Sequence, residues 1–453
     1  MVAVSTTPFG RFRLDASYRR PGDGSVVVAG SPLRLFRLSA AGRRVAARLE
    51  AGLDLPAGHE RLTDRLVDAG AIHPRPQLHG GPFGDADVTV VVPTLDTPVV
   101  LAHDGPVVVV DDGSAVAVEV PAGARLLRHP VSRGPGAARN TALAEVTTPL
   151  VAFVDSDVHL PPGWLGPLLA HFDDPRLVAV APRVRSAESE GLLAAYERLR
   201  SPLDLGGQPA RVAAGSRVSY VPSAALLCRT DAVRAVGGFD PELRFGEDVD
   251  LVWRLSATGR CRYEPASEVT HAPRATWRAW LAQRAAYGSS AAPLARRHPG
   301  ALAPLRASGW SLAVWALILL RRPVIALGLG AWTAVALRRT LADLPASVTT
   351  ELVARGHLGT GRQLADATRR AWWPAAVVAA VCSRRARLPV LAAALAPVLQ
   401  WRPGQGIDPI RYTAVRVADD VAYGAGLWRG VWAEGDVAAL LPDVRGWPGR
   451  ERD

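Results

Sequence analysis

The stretch Leu150-Val151-Ala152-Phe153-Val154-Asp155-Ser156-Asp157 carries five apolar residues and then two acids one residue apart. A continuous apolar run of this length suits a strand buried on both faces, as in a parallel sheet covered by helices. Strand alternation sends Asp155 and Asp157 to one side unless a turn redirects the second. Acids at the exposed end of such a strand stand where open α/β sheets bind ligands. Hard cations such as Mg²⁺ or Mn²⁺ take oxygen ligands and bridge substrate phosphates while using one or two protein carboxylates. Taken alone, two acids at this spacing are common in turns.

Further runs of the same texture, Val88–Val92, Val107–Val110 and Val178–Ala181, flank it. The second of them leads into Asp111-Asp112-Gly113-Ser114, whose carboxylates suit a uracil N–H or ribose hydroxyls; a helix N-cap or Asx turn explains them as well. Next comes Arg133-Gly-Pro-Gly-Ala-Ala-Arg-Asn140, a glycine-rich entry to a helix through Thr141–Ala144. Such an entry with Arg139 favours phosphate or ribose contact. Downstream, Gly237-Gly-Phe-Asp-Pro241 and Phe245-Gly-Glu-Asp-Val-Asp-Leu251 present Glu247 and Asp248 ahead of the amphipathic run Leu251–Leu255. One of the two acids suits a general base that takes a proton from an acceptor hydroxyl; first-turn acids favoured by the helix dipole are the structural alternative. His271, after a short polar strand, is a candidate third metal ligand.

Composition restrains the charge argument. The formal charge is +11, and all 53 basic residues are arginine. Asn140 is the sole asparagine and Met1 the sole methionine, a bias that points to a genome rich in G and C. Part of the basicity is therefore background, although it still favours anionic partners. The retention of Asn140 against that bias marks a constrained position. Cys228, Cys261 and Cys382 are odd in number and widely spaced, which supports neither a zinc site nor a disulfide framework and fits a reduced cytoplasmic setting. No helix-turn-helix or aromatic RNA-reading motif accompanies the arginines, so no nucleic-acid partner is expected.

The acidic elements, in this order, resemble the family 2 glycosyltransferases of GT-A fold over Asp87 to about His271. The resemblance implies an α/β, Rossmann-like and mostly parallel core that binds a UDP-sugar. It carries base and ribose contact onto Thr94, Asp111 and Asp112, with Arg139, Asn140, Asp155 and Ser156 completing the nucleotide-sugar set. It places a divalent Mn²⁺ or Mg²⁺ on Asp157 with Asp155 and His271, and the catalytic base on Asp248 beside Glu247. Direct displacement with inversion follows, giving a β-linkage. Only thirteen residues join the first two strands, where the family has a longer helix. The signature of processive polysaccharide synthases is absent: Trp277, Trp280, Gln283 and Arg284 are misordered for it.

Texture divides the chain into residues 1–84, 85–300 and 301–453. Leu35, Leu38, Val45 and Leu49, then Leu62, Leu66 and Val67, predict two helices in the first part, after a β-type run Ser25–Ala29 and before a Pro/Gly-rich linker, His73–Gly84. That part is similar to small winged-helix modules that hold the leader of a ribosomally made peptide. The last part is helical, with apolar segments Trp310–Leu337 and Ala371–Trp401, each broken by arginines. Each uninterrupted half is too short to span a bilayer. Hairpins dipping into one leaflet, interfacial helices and ordinary buried helices all remain open, so an anionic membrane surface and a peripheral place on the cytoplasmic face stand among the expectations. The whole layout resembles the mycofactocin-system glycosyltransferases of actinobacteria. That resemblance implies glucose, from UDP-glucose, added to a peptide-derived redox cofactor precursor as a short β-linked oligosaccharide. The alternative acceptor is a polyprenyl phosphate or a cell-envelope glycan, motivated by the basic, tryptophan-rich tail.

Overall fold

The computed structural model describes residues 11–76, 81–101 and 103–445. The first ten residues of the N-terminal module and residues 77–80 of its linker lie outside the described residues. The chain divides into two compact units, one of residues 1–188 and 200–273, the other of 189–199 and 274–453.

The first unit opens with β1 (Phe12–Leu14), β2 (Val26–Ala29), β3 (Arg34–Arg37), α1 (Ala40–Glu50), α2 (Glu60–Asp68) and β4 (Ile72–Pro74). β2 and β3 form an antiparallel hairpin, and β1 pairs with β4. Leu35 therefore belongs to a strand and not to the first helix. That helix starts one turn later, where Ser39 caps it by accepting from the Gly42 amide. Val27, Phe36, Val45, Leu49, Leu66 and Ile72 close a small core. Ion pairs fix this module to the larger sheet after it: Arg260 reaches Asp64 at 3.1 Å and Asp68 at 2.7 Å.

The strands of the larger sheet are β5 (Val88–Thr94), β6 (Val107–Asp111), β7 (Arg125–Arg128), β8 (Leu150–Val154), β9 (Val158–His159), β10 (Leu177–Ser186), β11 (Ala210–Arg211), β12 (Ala225–Arg229) and β13 (Arg260–His271). Helices α3 (Pro135–Glu145), α4 (Gly166–Leu169), α6 (Thr230–Ala235) and α7 (Glu247–Thr258) alternate with them, and α5 (Leu192–Arg200) leaves for the second unit. The sheet runs β11-β13-β10-β12-β8-β5-β6-β7, with β9 added on β13. β5, β6, β7 and β8 are mutually parallel, and β12 is reversed between β8 and β10. This is the α/β GT-A architecture, and every valine run noted in the sequence is a strand.

Alternation along β8 shows why the runs are continuous. Val151 and Phe153 pack with Ala138, Leu143, Leu251 and Leu255, under α3 and α7. Leu150, Ala152 and Val154 pack with Leu168 and Phe172 on the opposite face. Both faces are dry, and each such side chain contributes about 1.5–3 kcal/mol by leaving water. The link between β5 and β6 contains no helix among its described residues. Its place is held by single contacts, such as His103 Nε2 to the Val88 carbonyl at 2.9 Å.

The second unit holds α8 (Trp277–Ser289), α9 (Ala291–Arg297), β14 (Arg306–Ser308), α10 (Gly309–Leu319), α11 (Pro323–Thr340), α12 (Ala346–Arg370), α13 (Trp373–Cys382), α14 (Arg384–Leu395), α15 (Pro409–Glu434) and β15 (Asp443–Arg445). By contacts the chain divides after Pro273, and α8 and α9 belong with the helices that follow them. The reason is close packing of α8 on α15, where a methyl at Gly288 or Gly426 would collide with the carbonyl of Tyr423 or Ala285. Among the described residues no helix is long and apolar enough to cross a membrane.

Candidate functional site

Four strand or helix ends meet at the C-terminal edge of β5, β6 and β8. Asp111 closes β6 with its side chain fully buried. Its Oδ1 accepts from the Ser114 amide at 2.8 Å, and Arg128 Nε stands 3.3 Å from Oδ2. Burial works against its charge, but the Ser114 hydrogen bonds and Arg128 outweigh that and hold the carboxyl below its ordinary range. Oδ2 is buried and makes no hydrogen bond among the described residues, meeting Arg128 only as an ion pair. Buried acceptors are normally satisfied, so such an oxygen is suited to a donor from outside.

Asp112 has the opposite fate. His129 Nδ1 lies 2.6 Å from its Oδ1, and Ser132 Oγ and the Gly134 amide donate to Oδ2 at 2.8 Å each. The Arg133 amide donates to both oxygens, at 2.9 and 3.1 Å. Burial again opposes the charge, and the Arg133 amide, His129 and Ser132 overcome it. Both oxygens accept hydrogen bonds that order residues 129–134 ahead of α3. Gly113 lies between the two acids at φ 88°, and a side chain there would strike the backbone of Val131 and Ser132. Thr94 Oγ1 turns inward to the Thr97 carbonyl at 2.5 Å.

Arg139 is 3 % exposed and bridges two elements, donating to Asp155 Oδ1 at 2.6 Å and to Glu247 Oε1 at 2.8 Å. Its guanidinium also lies 5.1 Å from the centre of the Phe239 ring. Through these two bonds it clamps the tip of β8 to the start of α7, and its Nε is buried with no hydrogen-bond partner among the described residues. Asn140 donates through Nδ2 to the Phe239 carbonyl at 2.7 Å and accepts through Oδ1 from the Phe239 amide at 2.8 Å. Pairing both backbone groups of one residue needs a side chain with a donor and an acceptor side by side, and an amide supplies them. Gly238, at φ 71°, makes room, since a Cβ would sit 2.5 Å from Asn140 Oδ1. The retained asparagine thus holds the Gly237–Pro241 loop.

The two acids after β8 separate. A turn closed by the Val158 amide on the Asp155 carbonyl redirects the chain into β9. Asp155 keeps the α3 side and meets Arg139. Asp157 faces β13, where His271 Nε2 lies 3.2 Å from its Oδ2. β9 pairs antiparallel with β13, setting Val158 opposite His271 and thereby delivering the histidine. Two ligands ~2.1 Å from one octahedral ion stand roughly 3 Å apart, so this pair fits adjacent positions around Mg²⁺ or Mn²⁺. Among the described residues no three His, Cys, Asp or Glu side chains converge for a metal. Asp155 is engaged by Arg139. Ser156 sits in the turn, half-buried.

Glu247 and Asp248 begin α7 after Gly246, which takes the left-handed conformation at φ 78°. Burial and then the charge of Asp248 push Glu247 up to about 7, with Arg139 pulling the other way. Asp248 is raised by its own burial, against Arg139 and the amides of Ser223 and Val249. Those amides reach Oδ2 at 3.2 Å and Oδ1 at 2.8 Å, fixing the carboxylate plane. The sequence offered no signal for Ser223 or for Arg128, whose partners lie far away or on another strand.

The family model described as "Glycosyl transferase family 2" matches residues 106–232. A "Pre-mycofactocin glycosyltransferase" from Mycobacterium tuberculosis (strain ATCC 25618 / H37Rv) is 44% identical over 96% of this chain and 97% of its own. A probable polypeptide N-acetylgalactosaminyltransferase 8 from Homo sapiens is 36% identical over 14% of this chain and 10% of its own. Among solved structures, a mannosyltransferase from Pyrobaculum calidifontis in complex with GDP-Man and Mn²⁺ is 17% identical over 87% of this chain and 98% of its own, with a TM-score of 0.44. With a 44% identical relative aligned along nearly its whole length, the chain belongs to the family 2 glycosyltransferases, on the branch of the pre-mycofactocin glycosyltransferases.

Proposed function

We propose that the chain transfers glucose from UDP-glucose onto a peptide-derived redox cofactor precursor, with inversion, building a short β-linked oligosaccharide. The acceptor class rests on the name of the 44% identical relative. The chemistry rests above all on one observation: Arg139 ties Asp155 to Glu247, which brings the acid pair of α7 to the end of β8, beside the turn that carries Asp157. In this reading Asp111 Oδ2 accepts a hydrogen bond from the nucleoside. Asp157 and His271 would hold a divalent cation, which supplies charge neutralisation for the diphosphate when bound.

Asp248 takes the proton of the acceptor hydroxyl as its oxygen bonds to the anomeric carbon. The bond from that carbon to the diphosphate oxygen breaks, and UDP leaves with the electron pair. Attack from the face opposite the leaving group turns an α-linked donor into a β-linked product. Two backbone amides hold the Asp248 carboxylate in one orientation, as an effective base needs. Burial raises its basicity toward working pH. The N-terminal module is proposed to hold the peptide part of the acceptor, supported by a pocket of about 230 Å³ lined by Phe12, Leu49, Leu53, Leu55 and His59 among others.

The test is mass spectrometry of products from purified enzyme, a panel of UDP-sugars, Mn²⁺ and the peptide-derived acceptor. Successive hexose additions from UDP-glucose, abolished by EDTA and restored by Mn²⁺, are expected. Full activity in EDTA would remove the metal from the account. Transfer to polyprenyl phosphate with none to the peptide-derived acceptor would replace the acceptor.

A further inference from the structure

The second unit buries charge beside its apolar clusters: Asp420 on α15 is buried with Arg369 at 3.0 Å and Arg416 at 3.3 Å, and Arg284 Nε lies 3.1 Å from Asp419. Its outside is apolar where α10 meets α11 and along α13 and α14. Eight consecutive residues from Ile318 to Ile325 are exposed, six of them apolar, with Leu320 at 71% and Val324 at 81%. Arg321, at φ 59°, turns this tip. The α13 helix buries none of its residues, and Val377, Val378 and Val381 face outward, followed on α14 by Leu388 and Leu391. Contiguous apolar exposure of this kind marks an interaction surface.

The charge pattern around it is one-sided. Residues 309–342 contain four arginines and no aspartate or glutamate, and residues 371–407 contain four more, again with no acid. Arg321, Arg322, Arg384, Arg385 and Arg387 are exposed among the apolar side chains. A second copy of this chain would bring like charges face to face, whereas an anionic lipid surface meets both features at once: the apolar tips enter the acyl boundary and the guanidinium groups reach the headgroup phosphates. No described helix is able to cross a bilayer, so contact is restricted to one leaflet. We infer that the α10–α11 tip and the α13–α14 hairpin dock the enzyme on an anionic membrane surface. This docking is independent of which acceptor the enzyme uses.

Sedimentation of the full chain with vesicles tests it. Binding to vesicles of equal parts phosphatidylglycerol and phosphatidylcholine is expected at low salt, weakening with added salt and on phosphatidylcholine alone. The double variant Leu320→Asp/Val324→Asp is expected to lose at least tenfold in vesicle affinity, and Arg384→Gln/Arg385→Gln about fivefold per charge. UDP-sugar hydrolysis in both variants reports that they are folded. Wild-type chain remaining in the supernatant at low salt overturns the proposal, and so does unchanged binding by folded Leu320→Asp/Val324→Asp. Sedimentation velocity without lipid covers the other occupant: a dimer abolished by that variant makes a second copy the partner and overturns the membrane assignment.

Discussion

Two pairs of adjacent acids, Asp111/Asp112 at the end of β6 and Glu247/Asp248 at the start of α7, look alike in sequence and behave oppositely. Asp112 accepts hydrogen bonds from four groups around it and is held below its ordinary range. Glu247 is buried and Asp248 half-buried, with one shared arginine nearby, and both are raised. Donor count decides between scaffold and base. A carboxylate saturated with donors organises a loop; one that is buried and under-supplied keeps an appetite for a proton.

The largest expected effect is at Asp248. Asp248→Asn keeps the backbone hydrogen bonds to one oxygen and removes the base, so transfer falls about 10²–10⁴-fold while UDP-sugar binding stays measurable. Retained turnover would move the base to Glu247. Next is Arg139→Met, which leaves Asp155 and Glu247 without their shared cation. Breaking a buried pair from one side costs about 3–5 kcal/mol, read as a lower melting temperature. The smallest effects separate the members of the first pair. Asp112→Asn weakens the fold of residues 129–134 by about 1–3 kcal/mol with little change in donor KM. Asp111→Asn raises donor KM with less effect on stability. Equal KM effects from the two would erase the distinction drawn between them.

Much of this was legible in the sequence. Valine runs buried on two faces announce a covered parallel sheet, and the order of the acidic elements announces the chemistry. Less visible was the partner of each side chain. Asn140 stood out by composition, but its target, the backbone of Phe239, is 99 residues away. Asp155 and Asp157 share a spacing that implies one side, and a single turn sends them to Arg139 and His271. The boundary at Pro273 was hidden because α8 and α9 are as alanine- and arginine-rich as the helices after them. Their membership is set by glycine contacts with α15, which no local pattern reveals.

The central claim is that the buried Glu247–Asp248 pair, tuned by Arg139, takes the acceptor proton. The pH profile of kcat/KM tests it most directly. Since ionised Asp248 is the active form and both groups titrate above ordinary carboxylates, activity is lost as pH falls through an apparent value that belongs to the pair. The account predicts an acid limb above the ordinary carboxylate range, because burial raises both members of the pair. The limb moves to higher pH in Arg139→Met, where the cation that favours ionisation is gone, and stays in place in Asp112→Asn. A wild-type profile flat down to ordinary carboxylate pH, or a limb that Arg139→Met leaves unmoved, would contradict it.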